Sequence, residues 1–295
     1  MIVSERLSKG ILVLSTESDW HKAYAMILSM RNFVDDLPVA VVGTSLVLQR
    51  LQPVTDVQIP EDPALKGFEH KLALDKYTPF KATLFVDADM LWFGSPYELI
   101  EKMSGYSYGV RGDYRGGVSS FGLCRDQVLE RTGKPAFVNI SGAGHAYFTL
   151  PEAVTVFERS RAILKDYNVI APGAGIADED IVGIAMTELD IPPIKDKNIV
   201  GFIKAAKPNT LKIDVCDGIC EYVDLKGDRL KPVLMHFPRD MTPFFYTKLM
   251  KKLVAKYGAD LTVNWCRKAL HDWWLGSIRA RLSTTRKKVL GLIRL

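Results

Sequence analysis

Apolar runs of strand length alternate with segments of helical periodicity over the first ninety residues of this 295-residue chain. The predicted elements, in order, are a strand at 10–16, a helix at 19–33, strands at 37–43 and 55–60, a helix at 68–80 and a strand at 81–87. This alternation predicts an α/β fold with a mixed, mostly parallel sheet flanked by helices. Because ligands of parallel sheets bind beyond the carboxyl ends of the strands, polar residues that follow these strands are candidates for a functional site.

The later part of the chain contributes more helices than strands. Helices are predicted at 95–103, 151–167, 178–189 and 242–258, an interrupted strand at 137–148, and a β-hairpin at 218–237 around Lys226, Gly227 and Asp228. Residues 106–122 are rich in glycine and are expected to form a mobile loop. Its Arg111 and Arg115 are interpreted either as contacts to a substrate or as solvated loop charges.

The net charge of +5 is concentrated at the end of the sequence. Residues 262–295 hold eight basic residues and one acidic residue, a net charge of +7, so that the other 261 residues carry −2. A body so close to neutral disfavours nucleic acid as the main partner. The sequence therefore predicts a main domain at 1–258 and a basic tail at 259–295.

The tail has the pattern of an amphipathic helix. Ile278, Leu282 and Val289 share one face of a helical wheel, and arginine and lysine side chains occupy the rest of its circumference. A basic face opposite an apolar one, next to Trp273 and Trp274, favours attachment to a membrane surface. The alternative is a terminal helix that packs on the body and leaves its basic side in water.

Cysteine usage and hydropathy predict a cytoplasmic protein, with the inner face of a membrane as a second expected location. Cys216 and Cys220 are the closest pair among four cysteines, and their spacing does not match a zinc site. The apolar run at 11–14 is too short for a signal peptide. No stretch approaches the roughly 20 apolar residues of a spanning helix.

Two carboxylates, Asp87 and Asp89, follow the apolar run Thr83–Val86 directly. Such a D-x-D sequence at a strand end lets both side chains approach one divalent cation, and oxygen ligands suit Mg²⁺ or Mn²⁺ bound to phosphates. The alternative interpretation is a polar turn that simply ends the strand.

The segment HKLALDKYTPFKATLFVDADMLWFG at 70–94 resembles a segment of GT-A fold nucleotide-sugar glycosyltransferases, above all family 8. That family includes glycogenins and bacterial lipooligosaccharide galactosyltransferases. Its pattern is a lysine on a helix, a tyrosine six residues later and two aspartates after a strand, and Lys71, Tyr77, Asp87 and Asp89 match it. The resemblance implies that both aspartates bind Mn²⁺ or Mg²⁺ and the donor diphosphate, with Lys71 and Ala88 in the same site.

Two later segments extend the resemblance. VNISGAGHAYF at 138–148 is similar to the strand that faces the donor sugar and the acceptor, although it has one additional residue between Asn139 and Ser141. It implies that Asn139 and Gly142 belong to the sugar site. DEDIVGIAM at 178–186 is similar to the helix start at which an acid and an amide contact sugar hydroxyls. Asp178 matches the acid, Glu179 replaces the amide, and Asp180 is expected to face solvent.

The remaining matches lie at the two ends of the body. VLMHFPRD at 233–240 is similar to the segment whose histidine is the third metal ligand, which implies that role for His236. The Lys-Pro-Trp that follows in the family is missing here, and Arg239 is the candidate for the positive charge beside the diphosphate. Ser15 and Thr16, after the first strand, are expected to line the base and ribose site.

Together these features predict an enzyme of the hexosyltransferase class. It would transfer a hexose from a nucleotide diphosphate sugar, a UDP-sugar being the favoured donor, to a hydroxyl of a saccharide or glycolipid. The resemblance implies retention of configuration.

One alternative is a phosphohydrolase of the haloacid-dehalogenase type with Asp87 as nucleophile, which Leu91 and the late position of the motif disfavour. A second is a non-catalytic nucleotide-sugar-binding protein of the same fold. A sugar nucleotidyltransferase is disfavoured because LSTESDW is not a glycine-rich, arginine-containing loop.

Overall fold

The computed structural model describes residues 6–142, 144–237 and 243–258, together with ten positions between 267 and 282. These residues form two compact units. The first unit draws on 1–16, 36–87 and 97–199, and the second on 17–35, 88–96 and 200–295. Among the described residues, no helix combines the length and the apolar character needed to cross a membrane.

Most strands are short, and the two longest, the first and the fourth, have eight and seven residues. In chain order they are β1 Leu7–Leu14, β2 Val39–Gly43, β3 Val57–Pro60, β4 Phe80–Val86, β5 Met90–Trp92, β6 Tyr108–Gly109, β7 Gly112–Tyr114, β8 Val138–Ile140, β9 His145–Thr149, β10 Val200–Phe202, β11 Lys212–Asp214, β12 Ile219–Val223, β13 Arg229–Leu230 and β14 Leu234–His236.

The helices follow the same chain order. They are α1 Trp20–Arg31, α2 Ser45–Leu51, α3 Leu74–Tyr77, α4 Pro96–Met103, α5 Arg125–Thr132, α6 Val154–Lys165, α7 Tyr167–Ile170, α8 Asp178–Glu188 and α9 Pro243–Lys256. Short 3₁₀ helices span Gln52–Val54, Gly67–Ala73 and Ile203–Ala205.

The first unit is built on a six-stranded sheet in the order β3-β2-β1-β4-β9-β6. Strands β3, β2, β1 and β4 run parallel, whereas β9 is antiparallel to both of its neighbours. The carboxyl ends of β1, β2 and β4 therefore lie at one edge of the sheet. The predicted mixed, mostly parallel α/β fold is confirmed.

The core of the first unit explains why these apolar runs become strands. Leu12 and Phe85 from the sheet pack in one buried cluster with Phe148 and Phe157, whose rings meet edge to face with centroids 5.0 Å apart. Burial of each such side chain contributes about 1.5–3 kcal/mol. Gly10 is required in β1 because a Cβ there would lie 2.3 Å from the Phe80 ring.

The second unit contains two three-stranded sheets, β10-β14-β5 and β11-β12-β13. Strand β14 is parallel to β10 and antiparallel to β5, so that His236 is opposite Met90. Helix α1 packs on β5, where the Trp92 N–H donates to Ser29 Oγ at 3.0 Å. This backbone hydrogen bond and the buried Trp92 side chain hold the strand that follows the D-x-D segment on α1.

The predicted elements agree with the structure at most positions, and the differences have local causes. The predicted helix at 68–80 is a 3₁₀ helix followed by the short α3, and it ends before Pro79, which disfavours helical geometry in Thr78. The hairpin is confirmed for β12 and β13, but β14 leaves it and joins another sheet. Helices α2 and α5 were not predicted, and strands β6 and β7 lie in the segment 106–122 that was expected to form a loop.

Candidate functional site

Asp87 lies where the central strand β4 ends. Leu84, Phe85 and Val86 are fully buried, which fixes the end of the strand in the core. The Asp87 N–H then donates to the Gly144 carbonyl at 2.7 Å and continues the pairing with β9 by one residue. The backbone of Asp87 is thus held by the sheet while 19% of its side chain is exposed.

Lys71 connects Asp87 to a second carboxylate of the same unit. Its Nζ donates to Asp87 Oδ2 at 2.7 Å and lies 3.1 Å from Asp178 Oδ2. Lys71 comes from the 3₁₀ helix Gly67–Ala73, and Asp178 is the first residue of α8. The structure therefore joins three residues of the predicted site, although Asp178 is 107 positions after Lys71 in the sequence.

We call Lys71, Asp87 and Asp178 the Lys71 cluster. The two carboxylates stabilise the positive charge of the lysine. Burial alone would lower the pKa of Lys71, but the two carboxylates outweigh it and the pKa is raised well above its usual value. Lys71 is therefore an ammonium ion at every physiological pH. The neighbouring Tyr108 hydroxyl stays neutral because burial, aided by the charge of Asp178, raises its pKa.

Asp89 and His236 meet within the second unit. The antiparallel register of β14 and β5 places His236 beside the residue that follows Asp89, and the Phe237 N–H donates to the Asp89 carbonyl at 3.1 Å. His236 Nε2 lies 3.2 Å from Asp89 Oδ1. Both side chains keep about a fifth of their surface exposed. An imidazole nitrogen and a carboxylate at this separation form a donor pair suited to a divalent cation.

Each aspartate of the D-x-D segment is thus engaged within its own unit. In the part of the chain that the structure describes, no three His, Cys, Asp or Glu side chains are gathered around one metal position. The donor chemistry of Asp89 and His236 nevertheless fits Mn²⁺ or Mg²⁺. The predicted ligand set of Asp87, Asp89 and His236 remains a prediction.

The predicted donor-site residues of the first unit lie at the carboxyl edge of its sheet. Ser15 is buried and follows β1, and its N–H donates to the Val42 carbonyl at 3.0 Å. The next residue, Thr16, is exposed. Ala88, which begins the segment of the second unit after Asp87, is buried. Their roles toward a nucleotide remain predictions.

The side chain of Asn139 is held at both ends of its amide. Its Oδ1 accepts from Arg125 Nη2 at 2.6 Å, and its Nδ2 donates to Asp113 Oδ1 at 2.9 Å across the β7–β8 pair. Gly142 follows with a φ of +76°, a conformation that favours glycine. The Asn139 side chain, which is predicted to contact the sugar, is therefore already oriented by the protein.

The first turn of α8 points three acidic residues in different directions. Asp178 contacts Lys71, and Glu179 is partly exposed and lines a cavity described below. Asp180 is only 5% exposed and accepts from Ser119 Oγ at 2.6 Å, so the expectation that it faces solvent is wrong. Successive residues of an α-helix are about 100° apart, which separates Asp178 from Asp180 by roughly half a turn.

Two predicted features fall outside the described residues. Arg239, the candidate for the positive charge beside a diphosphate, is one of them. Most of the basic tail is another, although the ten described positions between 267 and 282 are helical. The predicted boundary at residue 258 also stays a prediction.

Arg125 is a polar residue of this region that sequence reasoning missed. In the sequence it stands in CRDQVLERTG, which is typical of an exposed helix start, yet its side chain is 8% exposed. It binds the Gly116 carbonyl and Asn139 at once. Its proximity to Asn139 depends on how the chain folds between them, and no local pattern reports it.

Comparisons with known proteins agree on the fold. No family model and no curated protein matches the sequence. The apo structure of the bifunctional glycosyltransferase WbbM aligns with a TM-score of 0.59 and 14% identity, over 91% of this chain and 52% of that one. The apo form of the glycosyltransferase GlyE of Streptococcus pneumoniae TIGR4 aligns with a TM-score of 0.51 and 12% identity, over 92% of this chain and 64% of that one.

This chain spans about half the length of WbbM and under two thirds of GlyE. At such low identity the likeness establishes the fold, which is that of glycosyltransferases. The narrower assignment to family 8 stays a prediction from the sequence.

Proposed function

We propose that this protein is a metal-dependent glycosyltransferase that moves a hexose from a nucleotide diphosphate sugar to an acceptor hydroxyl. The observation that carries the proposal is the Lys71 cluster at the carboxyl end of β4. One ammonium ion faces two carboxylates there, at the sheet edge where ligands of this kind of fold bind. The glycosyltransferase fold of the chain supports the same reaction class.

Lys71 supplies a permanent positive charge in this proposal. A departing diphosphate gains negative charge as the sugar leaves, and an ammonium ion fixed beside it stabilises that charge. Asp178 and Asp87 both orient Lys71, and Asp87 keeps it at the strand end. Arg239 is proposed to add a second positive charge.

Asp87, Asp89 and His236 are proposed to hold Mn²⁺ or Mg²⁺. The contact between Asp89 and His236 supports the pairing of these two donors, and Asp87 is two residues away along the chain. The chemistry that such a cation supplies is neutralisation of the leaving diphosphate.

The other assignments concern the donor and the hydroxyls of the sugars. Ser15 and Thr16 are proposed to contact the base and ribose of a UDP-sugar, and Ala88 and Gly142 the diphosphate and sugar. Asn139 and Glu179 are proposed to orient the sugar hydroxyls, together with Asp178. Retention of the anomeric configuration rests on the resemblance to family 8.

We also propose that the acceptor is a membrane-associated saccharide. The side chains of Lys248 and Lys251 in α9, and of Arg267 and Lys268 in the tail, are exposed and could contact an anionic surface. Each basic residue near an anionic leaflet contributes about 1 kcal/mol of binding. The protein should sediment with phosphatidylserine vesicles and not with phosphatidylcholine vesicles. Equal binding to both would refute the electrostatic attachment.

The catalytic proposal is tested with UDP-sugars, with and without Mn²⁺. Thermal shift measures binding, and release of UDP measures transfer to water. Both signals should require Mn²⁺, and Asp89→Ala should reduce UDP release by about a thousandfold or more. The control Asp217→Ala removes an exposed aspartate of the same unit and should behave as wild type.

Three outcomes contradict the proposal in different ways. Binding without any turnover, even with saccharide acceptors, would indicate a non-catalytic binding protein. Unchanged turnover in Asp89→Ala would refute the proposed metal site. The absence of any metal-dependent binding of UDP-sugars would overturn the proposed donor.

A further inference from the structure

A polar cavity of about 160 Å³ opens in the first unit beside the first turn of α8. We call it the Arg125 cavity; its lining includes Arg115, Ser119, Phe121, Arg125, Asn139, Glu179 and Asp180. It is small compared with the 300–1,000 Å³ pockets that hold drug-sized ligands. Its size therefore suits one small ring rather than a whole nucleotide.

The guanidinium of Arg125 has unused hydrogen-bonding capacity. Its Nη1 donates to the Gly116 carbonyl at 3.2 Å and its Nη2 to Asn139 Oδ1 at 2.6 Å. Its Nε is buried and has no hydrogen-bond partner among the described residues. A buried donor without a partner is unfavourable, so an acceptor oxygen of a ligand would be stabilised there.

The charges around the Arg125 cavity cancel. Arg115 and Arg125 bring two positive charges, and Glu179 and Asp180 bring two carboxyl groups. No surplus positive charge is left to bind a phosphate. Hydroxyl, amide, guanidinium and carboxyl groups in so small a space instead match a neutral polyhydroxyl ligand, which offers both donors and acceptors.

Exposed apolar side chains lie at and beside the Arg125 cavity. Phe121 lines it and is 46% exposed, and Val118 in the same loop is 65% exposed. Ile176, also 46% exposed, belongs to a second loop that is joined to the first where Gly175 N–H donates to the Phe121 carbonyl at 2.7 Å. Apolar surface beside a polar cavity marks a binding site, and a sugar ring presents both kinds of surface.

Hydrogen bonds hold the loop that carries Phe121. Ser119 Oγ donates to Asp180 and accepts from the N–H groups of Phe121 and Leu123. The Gly117 N–H donates to the Asp126 carboxylate at 3.1 Å. The loop at 117–123 is therefore arranged before a ligand arrives, which lowers the entropic cost of binding.

We propose that the Arg125 cavity binds the terminal ring of an uncharged saccharide acceptor. Phe121 packs against the apolar face of the ring, and Arg125 Nε donates to a ring or hydroxyl oxygen. The acceptor is favoured over the donor nucleotide because Asp178 faces the Lys71 cluster whereas Glu179 and Asp180 line the cavity on another side of α8. Asn139 and Glu179, proposed above to orient sugar hydroxyls, contact those of the acceptor ring in this arrangement. This inference rests on the proposed glycosyltransferase function.

The test uses saturation-transfer NMR with a mixture of methyl glycosides of glucose, galactose and N-acetylglucosamine, in the presence of UDP and the diamagnetic ion Mg²⁺. Phe121→Ala removes an exposed ring, so folding should not suffer. It should weaken binding of the glycoside that gives a signal by about fivefold to tenfold. Leu225→Ala, which removes an apolar side chain 66% exposed in the second unit, should leave the signal unchanged. UDP release from the donor in water should change less than about twofold in both variants.

Several outcomes overturn the inference. One is glycoside binding that is the same in Phe121→Ala as in wild type. Another is a loss of donor turnover in Phe121→Ala as large as the loss of glycoside binding, which would place the donor sugar in the cavity. A wild-type protein that binds UDP-sugar but no glycoside would refute the acceptor site alone. Failure to bind UDP-sugar at all would instead refute the proposed function.

Discussion

Two ion-pair clusters of the first unit share one stretch of chain and differ in their charge balance. Arg161 of α6 grips Asp75 with two hydrogen bonds, of 2.7 and 3.1 Å, and also donates to the Leu72 carbonyl. One positive charge meets one negative charge there, and the carboxylate of Asp75 is buried. Four residues away, Lys71 places one positive charge between two carboxylates that are partly exposed.

The difference in charge balance separates a structural ion pair, Arg161 with Asp75, from a candidate functional site, the Lys71 cluster. The balanced pair of Arg161 and Asp75 fixes the segment 67–77 against α6. The Lys71 cluster has one negative charge more than its positive charge, so that a further cation would be stabilised beside it. A lysine held in this way is positioned by the fold and is still available to chemistry.

Substitution of Lys71 should have the largest effect and would sharpen this distinction. Lys71→Gln removes the fixed charge, so UDP release should fall by about 100-fold to 1,000-fold, while the protein still folds. Lys76→Gln, which changes an exposed lysine of the same segment, is the control and should retain wild-type turnover. Steady-state kinetics and circular dichroism make the comparison. Similar turnover in both variants would show that Lys71 is only structural.

Loss of the balanced pair of Arg161 and Asp75 should reduce the stability of the folded protein. Asp75→Ala leaves the Arg161 guanidinium with an uncompensated charge, so the free energy of unfolding should fall by about 3 kcal/mol. This is the low end for a broken buried pair, because a quarter of the Arg161 side chain is exposed. Urea unfolding measures the effect.

The double variant Asp75→Leu with Arg161→Met should recover most of that stability, because it removes both charges together. Turnover per folded molecule should stay near wild type in the double variant. A catalytic defect as large as that of Lys71→Gln would contradict the division between the two clusters.

Asp180 should give the smallest effect, and it depends on pH. Burial raises the pKa of Asp180 and the charge of Asp178 adds to this, against the opposing effects of Ser119 and Arg125. A carboxyl with a raised pKa binds its proton more tightly in the folded state, so stability falls as pH rises through the range above its usual value of 3.8. Asp180→Asn should not show this fall.

The measurement is the difference in unfolding free energy between Asp180→Asn and wild type across this pH range. The difference should shift in favour of the variant as pH rises. A flat difference would show that burial does not raise the pKa of Asp180 in the folded protein.

Sequence patterns predicted the parts of this molecule that depend on local order. The apolar run of β4 determines that Asp87 stands at a strand end, and the spacing from Lys71 indicated a partnership that the structure shows at 2.7 Å. The strand that ends in His236 was also expected. In each case a regular element transmits the position of a side chain over a few residues.

The other features depend on contacts between distant segments. Asp180 looked solvated because the glycine-rich loop that covers it, through Ser119, lies sixty residues earlier in the chain. Arg125 was missed for the same reason. Residues of these polar types usually lie at the surface, so the sequence alone does not show that they are buried or what they contact.

The first turn of α8 also limits how this scaffold can be re-engineered. Three consecutive residues there serve the Lys71 cluster, the Arg125 cavity and the loop at 117–123, so a rotation of the helix by one position would misplace all three contacts together. A chimera that imports this turn from another enzyme without its matching loop should lose both partners. The two segments form a single exchangeable cassette, although almost sixty residues of chain separate them.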